Sequence, residues 1–167
     1  MSYKPTACEM ARYNQWQNEN LLEVCDGLAP QILEEDRGLF FKSILATFDH
    51  ILNVDRTLIE MTKTGTIPSF DPNLRLTTSY EAFKQARTQQ DAEILQLCED
   101  AGPTWFEDDL PRESAELGRT RHFPRWFYIA QMFNHQTHHR SQITSELHRM
   151  GVDYGNTDMP FNPLTPY

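Results

Sequence analysis

Apolar residues recur every three to four positions along four stretches of the chain, which is the period of an amphipathic α-helix. The first stretch runs from about Ala7 to Leu28 and ends where Pro30 disfavours helix in the residue before it. The second starts after Asp36 or Gly38 and continues to about Lys63. Both stretches are therefore predicted to be helices.

Two further helices are predicted in the second half of the chain. Ser79 is a suitable N-cap residue for the third, whose body runs from Ala82 to Leu97. The fourth begins at Pro124, because proline favours the first turn of a helix, and reaches about Met150. Four such helices predict an all-α fold, an antiparallel four-helix bundle formed by one domain over residues 1–167.

The helical period disappears between the third and fourth helices. Trp105–Leu110 and Thr120–Phe123 are predicted to pair as a short β-hairpin, joined by a stretch that contains Gly118.

The second helix has one continuous apolar face. The residues that share it form a predicted core stripe: Phe41, Ile44, Phe48, Ile51, Leu52, Leu58 and Ile59. Asp55 falls near the middle of this stripe, which predicts a carboxylate buried with a cation. His50 falls at the edge of the stripe.

The fourth helix has a similar pattern. Its core stripe contains apolar residues together with Gln136 and Arg140: Ile129, Met132, Phe133, Ile143, Leu147 and Met150. His135 and His139 lie together at one edge, whereas His138 points away from the core and is expected to be solvated.

Histidines four residues apart on one helix face can bind one metal ion. A partly buried structural pair is an equally common reason for this spacing, but His50 at the matching edge of another core helix favours a metal site with His135 and His139. Three neutral imidazoles suit one divalent ion per chain, of zinc, nickel, iron or copper. Three protein ligands also leave coordination positions open, as in catalytic sites.

Polar residues also interrupt the core stripe of the first helix. Asn14 and Gln17 lie within that stripe and Asn18 lies at its flank, so their buried amides need hydrogen-bond partners. One interpretation is a structural network in which Asp55 and Arg140 form a buried ion pair, completed by Asn14. The other is a polar substrate pocket at the metal end of the bundle.

Charge and composition indicate which classes of binding partner the protein is expected to lack. The chain has 24 acidic and 15 basic side chains, a formal net charge of -9, which repels nucleic acid and anionic membrane surfaces. Its three cysteines form no CxxC pair, which favours reduced thiols, and no apolar stretch is long enough to cross a membrane. These features predict a cytoplasmic protein that binds neither nucleic acid nor membrane.

Three segments carry a resemblance to a known family. The run FNHQTHHRSQITSELHRMGVDYGNTDMP at residues 133–160 resembles the last-helix signature of the DinB (damage-inducible) family of helical-bundle proteins. ARYNQWQNENLL at 11–22 and ATFDHILNVDRTL at 46–58 also resemble the family, in the same order.

The resemblance implies a four-helix bundle with up-down-down-up topology, usually a homodimer. It also implies a divalent metal, often nickel or zinc, on three histidines, which map onto His50, His135 and His139. Characterised relatives include S-transferases and isomerases that use thiols such as bacillithiol or mycothiol.

The leading functional hypothesis is therefore a metal-dependent S-transferase that joins a low-molecular-weight thiol to a small electrophile. Asn14, Asn18 and Arg140 are candidate substrate contacts, and no residue stands out as a general base. The alternatives are a non-catalytic stress-response binding module and a structural dimer that retains a metal site.

Overall fold

Helices form most of the fold, and a two-stranded hairpin precedes the last of them. The structure is a computed structural model that describes residues 2–66, 68–114 and 119–166, with the backbone alone at 112–114 and 119. The helices are α1 (Lys4–Asp26), α2 (Pro30–Glu34), α3 (Ile44–Thr64), α4 (Tyr80–Asp100) and α5 (Arg125–Arg149); the strands are β1 (Asp109–Ser114) and β2 (Arg119–Pro124).

The directions of the helices follow from the residues that meet between them. Along α3 and α4, contacts advance together from Phe48–Phe83 to Lys63–Glu93, so these two helices are parallel. Helices α1 and α4 are antiparallel, because Cys8 near the start of α1 donates a hydrogen bond to the carbonyl of Cys98 near the end of α4.

Helix α5 runs antiparallel to α3, because Arg125 at its start donates to the carbonyl of Thr62 near the end of α3. It runs parallel to α1, since the beginnings of both helices share one apolar cluster. This arrangement of α1, α3, α4 and α5 is the predicted up-down-down-up bundle, and it is confirmed.

The ends of α3 and α4 form where the sequence supplies capping groups. Ser43 accepts a hydrogen bond from the Ala46 amide at 3.1 Å, and Ser79 accepts one from the Ala82 amide at 3.2 Å. Gly65 ends α3 at a φ of 72°, a left-handed conformation that glycine adopts at no steric cost.

The predicted start of the second helix is wrong. Helix α3 begins at Ile44 and not after Asp36 or Gly38, because Ser43 caps it and Lys42 before it has a left-handed φ of 74°. Phe41 therefore lies in a turn and not on the core stripe of the helix. The short helix α2, which packs against α3, was also not predicted.

The predicted hairpin is present, and the bounds of its first strand differ from the prediction. Strands β1 and β2 pair antiparallel with Leu110 opposite Phe123, whereas Trp105–Glu107 forms a 3₁₀ turn and no strand. The connection that contains Gly118 lies outside the described residues.

Two apolar clusters fill the two ends of the bundle, and a layer of buried polar side chains separates them. Gln136 and Arg140 are buried between the clusters, as their positions on the core stripe predicted. The predicted ion pair between Asp55 and Arg140 is wrong.

Asp55 pairs with Arg87 of α4, whose Nη1 lies 2.6 Å from the carboxylate. Arg87 also reaches Asp91 at 2.7 Å, and all three side chains are at most 4% exposed. Because α3 and α4 are neighbours and parallel, Arg87 meets Asp55 directly.

Arg140 instead donates to the side-chain oxygens of Asn14 and Gln136, the latter at 2.9 Å. Its guanidinium also lies over the ring of Tyr13, 5.7 Å from the centroid.

Among the described residues, none forms a helix that is both long and apolar enough to cross a membrane.

Candidate metal centre

Three histidines from two neighbouring helices meet at the side of the bundle. His50 projects from α3, and His135 and His139 project from consecutive turns of α5. Because α3 and α5 are antiparallel neighbours, an early turn of one lies beside the middle of the other. The structure thus brings together the three residues that the helix positions predicted.

The distances describe a compact group. His50 Nε2 and His135 Nε2 are 3.1 Å apart, and one nitrogen from each of the three rings lies within 4.8 Å of the others. Two imidazole nitrogens that bind one zinc ion at ~2.1 Å lie roughly 3.0–3.4 Å apart. The His50–His135 separation matches that value, and a His139 nitrogen lies within 4.8 Å of both.

Hydrogen bonds hold two of the rings in the tautomer that a metal requires. His50 Nδ1 lies 3.0 Å from the carbonyl oxygen of Pro72, and His139 Nδ1 lies 2.8 Å from Gln142 Oε1. Both oxygens only accept, so each Nδ1 carries the proton and each Nε2 keeps a free lone pair. This is the usual second layer of a histidine metal site.

Burial keeps the three imidazoles neutral. It lowers the pKa of His50 and His139, and it lowers that of His135 to about 3, with further lowering of the His135 pKa by the charges of the neighbouring histidines. Only neutral imidazole coordinates metals, so the environment favours the binding-competent form. The donor set therefore fits one divalent ion.

A loop between α3 and α4 positions the Pro72 carbonyl. Asp49, one residue before His50, accepts hydrogen bonds from the Leu76 and Thr77 amides. Asn53, one turn later, donates to the Asp71 carbonyl at 2.8 Å. Residues on the same helix as His50 thus hold the loop against the ring.

Phe41 covers one face of His50. The two rings stack with centroids 3.9 Å apart, and Phe41 also meets the His139 ring edge-on at 5.6 Å. The turn at residues 39–42 therefore shields the histidines on this side.

A large cavity opens on another side of the group. It has a volume of about 660 Å³ and lies between α3 and α5, with His50 and His135 among its lining residues. A smaller cleft of about 210 Å³ lies by Phe41 and His50, with Lys42 and Arg75 at its wall.

The predicted substrate contacts lie elsewhere. Asn14 and Asn18 belong to the buried polar layer, where the Asn18 amide donates to both oxygens of Asp91 at 3.0 and 3.1 Å. Arg140 joins the same layer, so the structure favours the interpretation as an internal network. His138 is exposed, as predicted.

The sequence pattern did not identify several residues that contact the histidines. Phe41 was assigned to the helix core, although Ser43, a good N-cap residue, signals that the helix starts after it. The contacts of Pro72 and Gln142 with histidine nitrogens leave no periodic signal in the sequence.

Fold and site together define a helical-bundle protein with a three-histidine candidate metal centre. A comparison with family models supports the same class: the model of the DinB family matches residues 1–165. The chain therefore belongs to the DinB family, as the three segments indicated. A comparison with curated proteins finds no significant match.

Proposed function

We propose that the protein is a divalent-metal-dependent S-transferase that joins a low-molecular-weight thiol to a small electrophile. In this proposal His50, His135 and His139 hold one ion of nickel or zinc. Both metals accept three neutral nitrogen ligands.

One observation carries the proposal: the three neutral histidines converge beside a cavity of small-molecule size. Three protein ligands leave coordination positions open for an exogenous group. A site that served only to stabilise the fold would be expected to supply a fourth protein ligand.

A divalent ion in such a site lowers the pKa of a bound thiol, so that thiolate is available near neutral pH. The residues of the chain orient the reactants: Pro72 and Gln142 fix the imidazoles, and the cavity holds the electrophile. The thiol sulfur forms a bond with the electrophilic carbon, the leaving group departs with the bonding electrons, and the thiol proton passes to water.

The test is product formation with a panel of thiols. Metal-stripped protein is reloaded with nickel or zinc and mixed with a chlorinated aromatic and bacillithiol, mycothiol, glutathione or coenzyme A. Thioether is quantified by mass spectrometry. His138→Ala serves as the matched control for His139→Ala, because the two histidines are neighbours and only His139 belongs to the cluster.

We expect metal-dependent thioether formation by the wild type and His138→Ala, with at least a hundredfold loss in His139→Ala. If no thiol yields product with either metal, the transferase proposal is wrong. A binding module with a metal site would then be the better description.

A further inference from the structure

We propose that the 660 Å³ cavity beside His50 and His135 binds an uncharged, apolar group, so that the substrate is an aromatic or aliphatic compound. The reaction that this compound undergoes is taken from the proposed function, so that part of the inference rests on it. The preference of the cavity for apolar compounds is measured without that reaction.

The dimensions suit a small molecule. Cavities that bind metabolites and drug-sized compounds measure roughly 300–1,000 Å³. The cavity extends along α3 from His50 to Met61, eleven residues later, which corresponds to ~16 Å at 1.5 Å per residue. A ring with a substituent fits this length while its reactive end meets the histidines.

The walls are mainly apolar on both sides. Helix α3 supplies Val54, Leu58 and Met61, and α5 supplies Phe127 and Tyr128. Among the described residues that line the cavity, none is an aspartate, glutamate, lysine or arginine. A charged group that entered would lose water without gaining a counter-ion, which is costly.

Two aromatic side chains at this cavity are partly exposed. Phe70 is 42% exposed and Phe127 is 38% exposed, and both line the cavity. Phe127 is held in place because it stacks on Phe123 of β2, with centroids 4.6 Å apart. Exposed aromatic surface at the mouth of a concave site is available to a ligand.

Both histidines that line the cavity, His50 and His135, lie at one end of it, whereas Thr57 and Gln131 are uncharged polar residues along its walls. The substrate is thereby oriented with its apolar part between the helices and its reactive atom at the candidate metal centre. This arrangement selects for apolar character away from the reacting atom.

The test uses three fluorinated probes that share one ring: fluorobenzene, 4-fluorobenzylammonium and 4-fluorobenzenesulfonate. Their binding to metal-free protein is measured by fluorine NMR line broadening, so that coordination of the sulfonate to an ion does not enter the comparison. Two charged probes of opposite sign are needed, because an electrostatic field in the cavity would weaken the binding of one probe and strengthen the binding of the other. Loss of water around the charge weakens both.

Two variants fill the cavity from opposite walls, Thr57→Trp on α3 and Gln131→Trp on α5. Thr88→Trp on α4 is the matched control, because Thr57 and Thr88 both donate to the carbonyl four residues earlier and only Thr57 lines the cavity. Thermal unfolding verifies that each variant is folded, and either filling variant suffices for the test.

We expect fluorobenzene to bind at least tenfold more tightly than either charged probe. A filling variant should weaken its binding at least tenfold, whereas Thr88→Trp should leave it unchanged. Equal binding of a charged probe, or unchanged binding to a folded filling variant, would overturn the proposal. Selective fluorobenzene binding without any thioether product would retain the cavity assignment and reject the transferase.

Discussion

His135 is the histidine whose protonation the fold opposes most strongly. Burial and the three neighbouring histidines lower its pKa to about 3, against an ordinary value of 6.5. The folded state binds this proton less tightly than the unfolded state does. The contribution of neutral His135 to the free energy of unfolding is therefore fully present above pH 6.5. It is lost as the pH falls from 6.5 towards 3.

We therefore expect metal-free protein to lose stability below about pH 6.5. Asp91, whose pKa is raised to about 6 by burial, titrates in the same range. Its protonation stabilises the folded state as the pH falls, which is opposite to the effect of His135. The measurement is urea unfolding from pH 7.5 to 4.5 for the wild type and His135→Asn, so that subtraction removes the contribution of Asp91. A difference between the two proteins that does not change with pH would contradict the prediction.

The buried pair of Asp55 and Arg87 makes a separate prediction. Removing one partner leaves the other charge buried, which typically costs roughly 3–5 kcal/mol. Arg87→Met should lower the free energy of unfolding by about that amount, whereas Asp55→Asn should lower it less, because Arg87 keeps Asp91 as a partner. The double variant should lose less than the sum of the two. Thermal and denaturant unfolding measure this cycle.

The exposed pair of Lys63 and Glu93 is the control, and its removal should change stability little. Additive effects at Asp55 and Arg87 would contradict the ion pair. A large coupling between Asp55 and Arg140 would restore the pairing that the sequence suggested.

The positions of site residues could be predicted from the sequence where those residues follow the helical period. His135 and His139 occur at helix spacing, and His50 lies at the edge of a clear apolar stripe. The partner of Asp55 could not be predicted in this way, because it depends on which helices are neighbours. A helical wheel describes one helix and contains no information on the adjacent one.

At the scale of elements, the loop between α3 and α4 supports the site. Asp49 is fully buried and binds two backbone amides of that loop, whose Pro72 carbonyl orients His50. Loss of a second-layer contact typically weakens metal affinity 10–100-fold. The loop thus links the fold of α3 to the donor atom of His50.

Asp49→Ala should therefore weaken metal binding about 10–100-fold by releasing the loop. Calorimetric titration of the metal-free protein measures this, and circular dichroism verifies the helices. Asp153→Ala is the control, because Asp153 also accepts a backbone amide hydrogen bond, in an exposed turn of the C-terminal segment. An unchanged affinity in folded Asp49→Ala would show that the loop does not position His50.

Elements were predictable to different degrees. The long helices and their caps follow from apolar period, serine and glycine, which are local signals. The turn at residues 39–42 and the register of the hairpin depend on contacts with other parts of the chain. The sequence therefore placed Phe41 on a helix, although it stacks on His50.

At the scale of the whole molecule, the topology creates the site. Antiparallel packing of α3 on α5 brings His50 to His135 and His139, and the same pair of helices forms the apolar cavity. The up-down-down-up directions of the helices were predicted through the family resemblance, whereas periodicity predicted four helices, their approximate bounds and an antiparallel bundle. The position of the cavity required the packed structure.

The central claim is that three histidines hold one divalent ion. The most direct measurement is the metal content of protein that is stripped with a chelator, reloaded with nickel or zinc, and examined by elemental analysis. We expect about one ion per chain in the wild type and in His138→Ala, and much less in His135→Ala. The claim is contradicted if the wild type retains no ion, or if His135→Ala retains as much as His138→Ala.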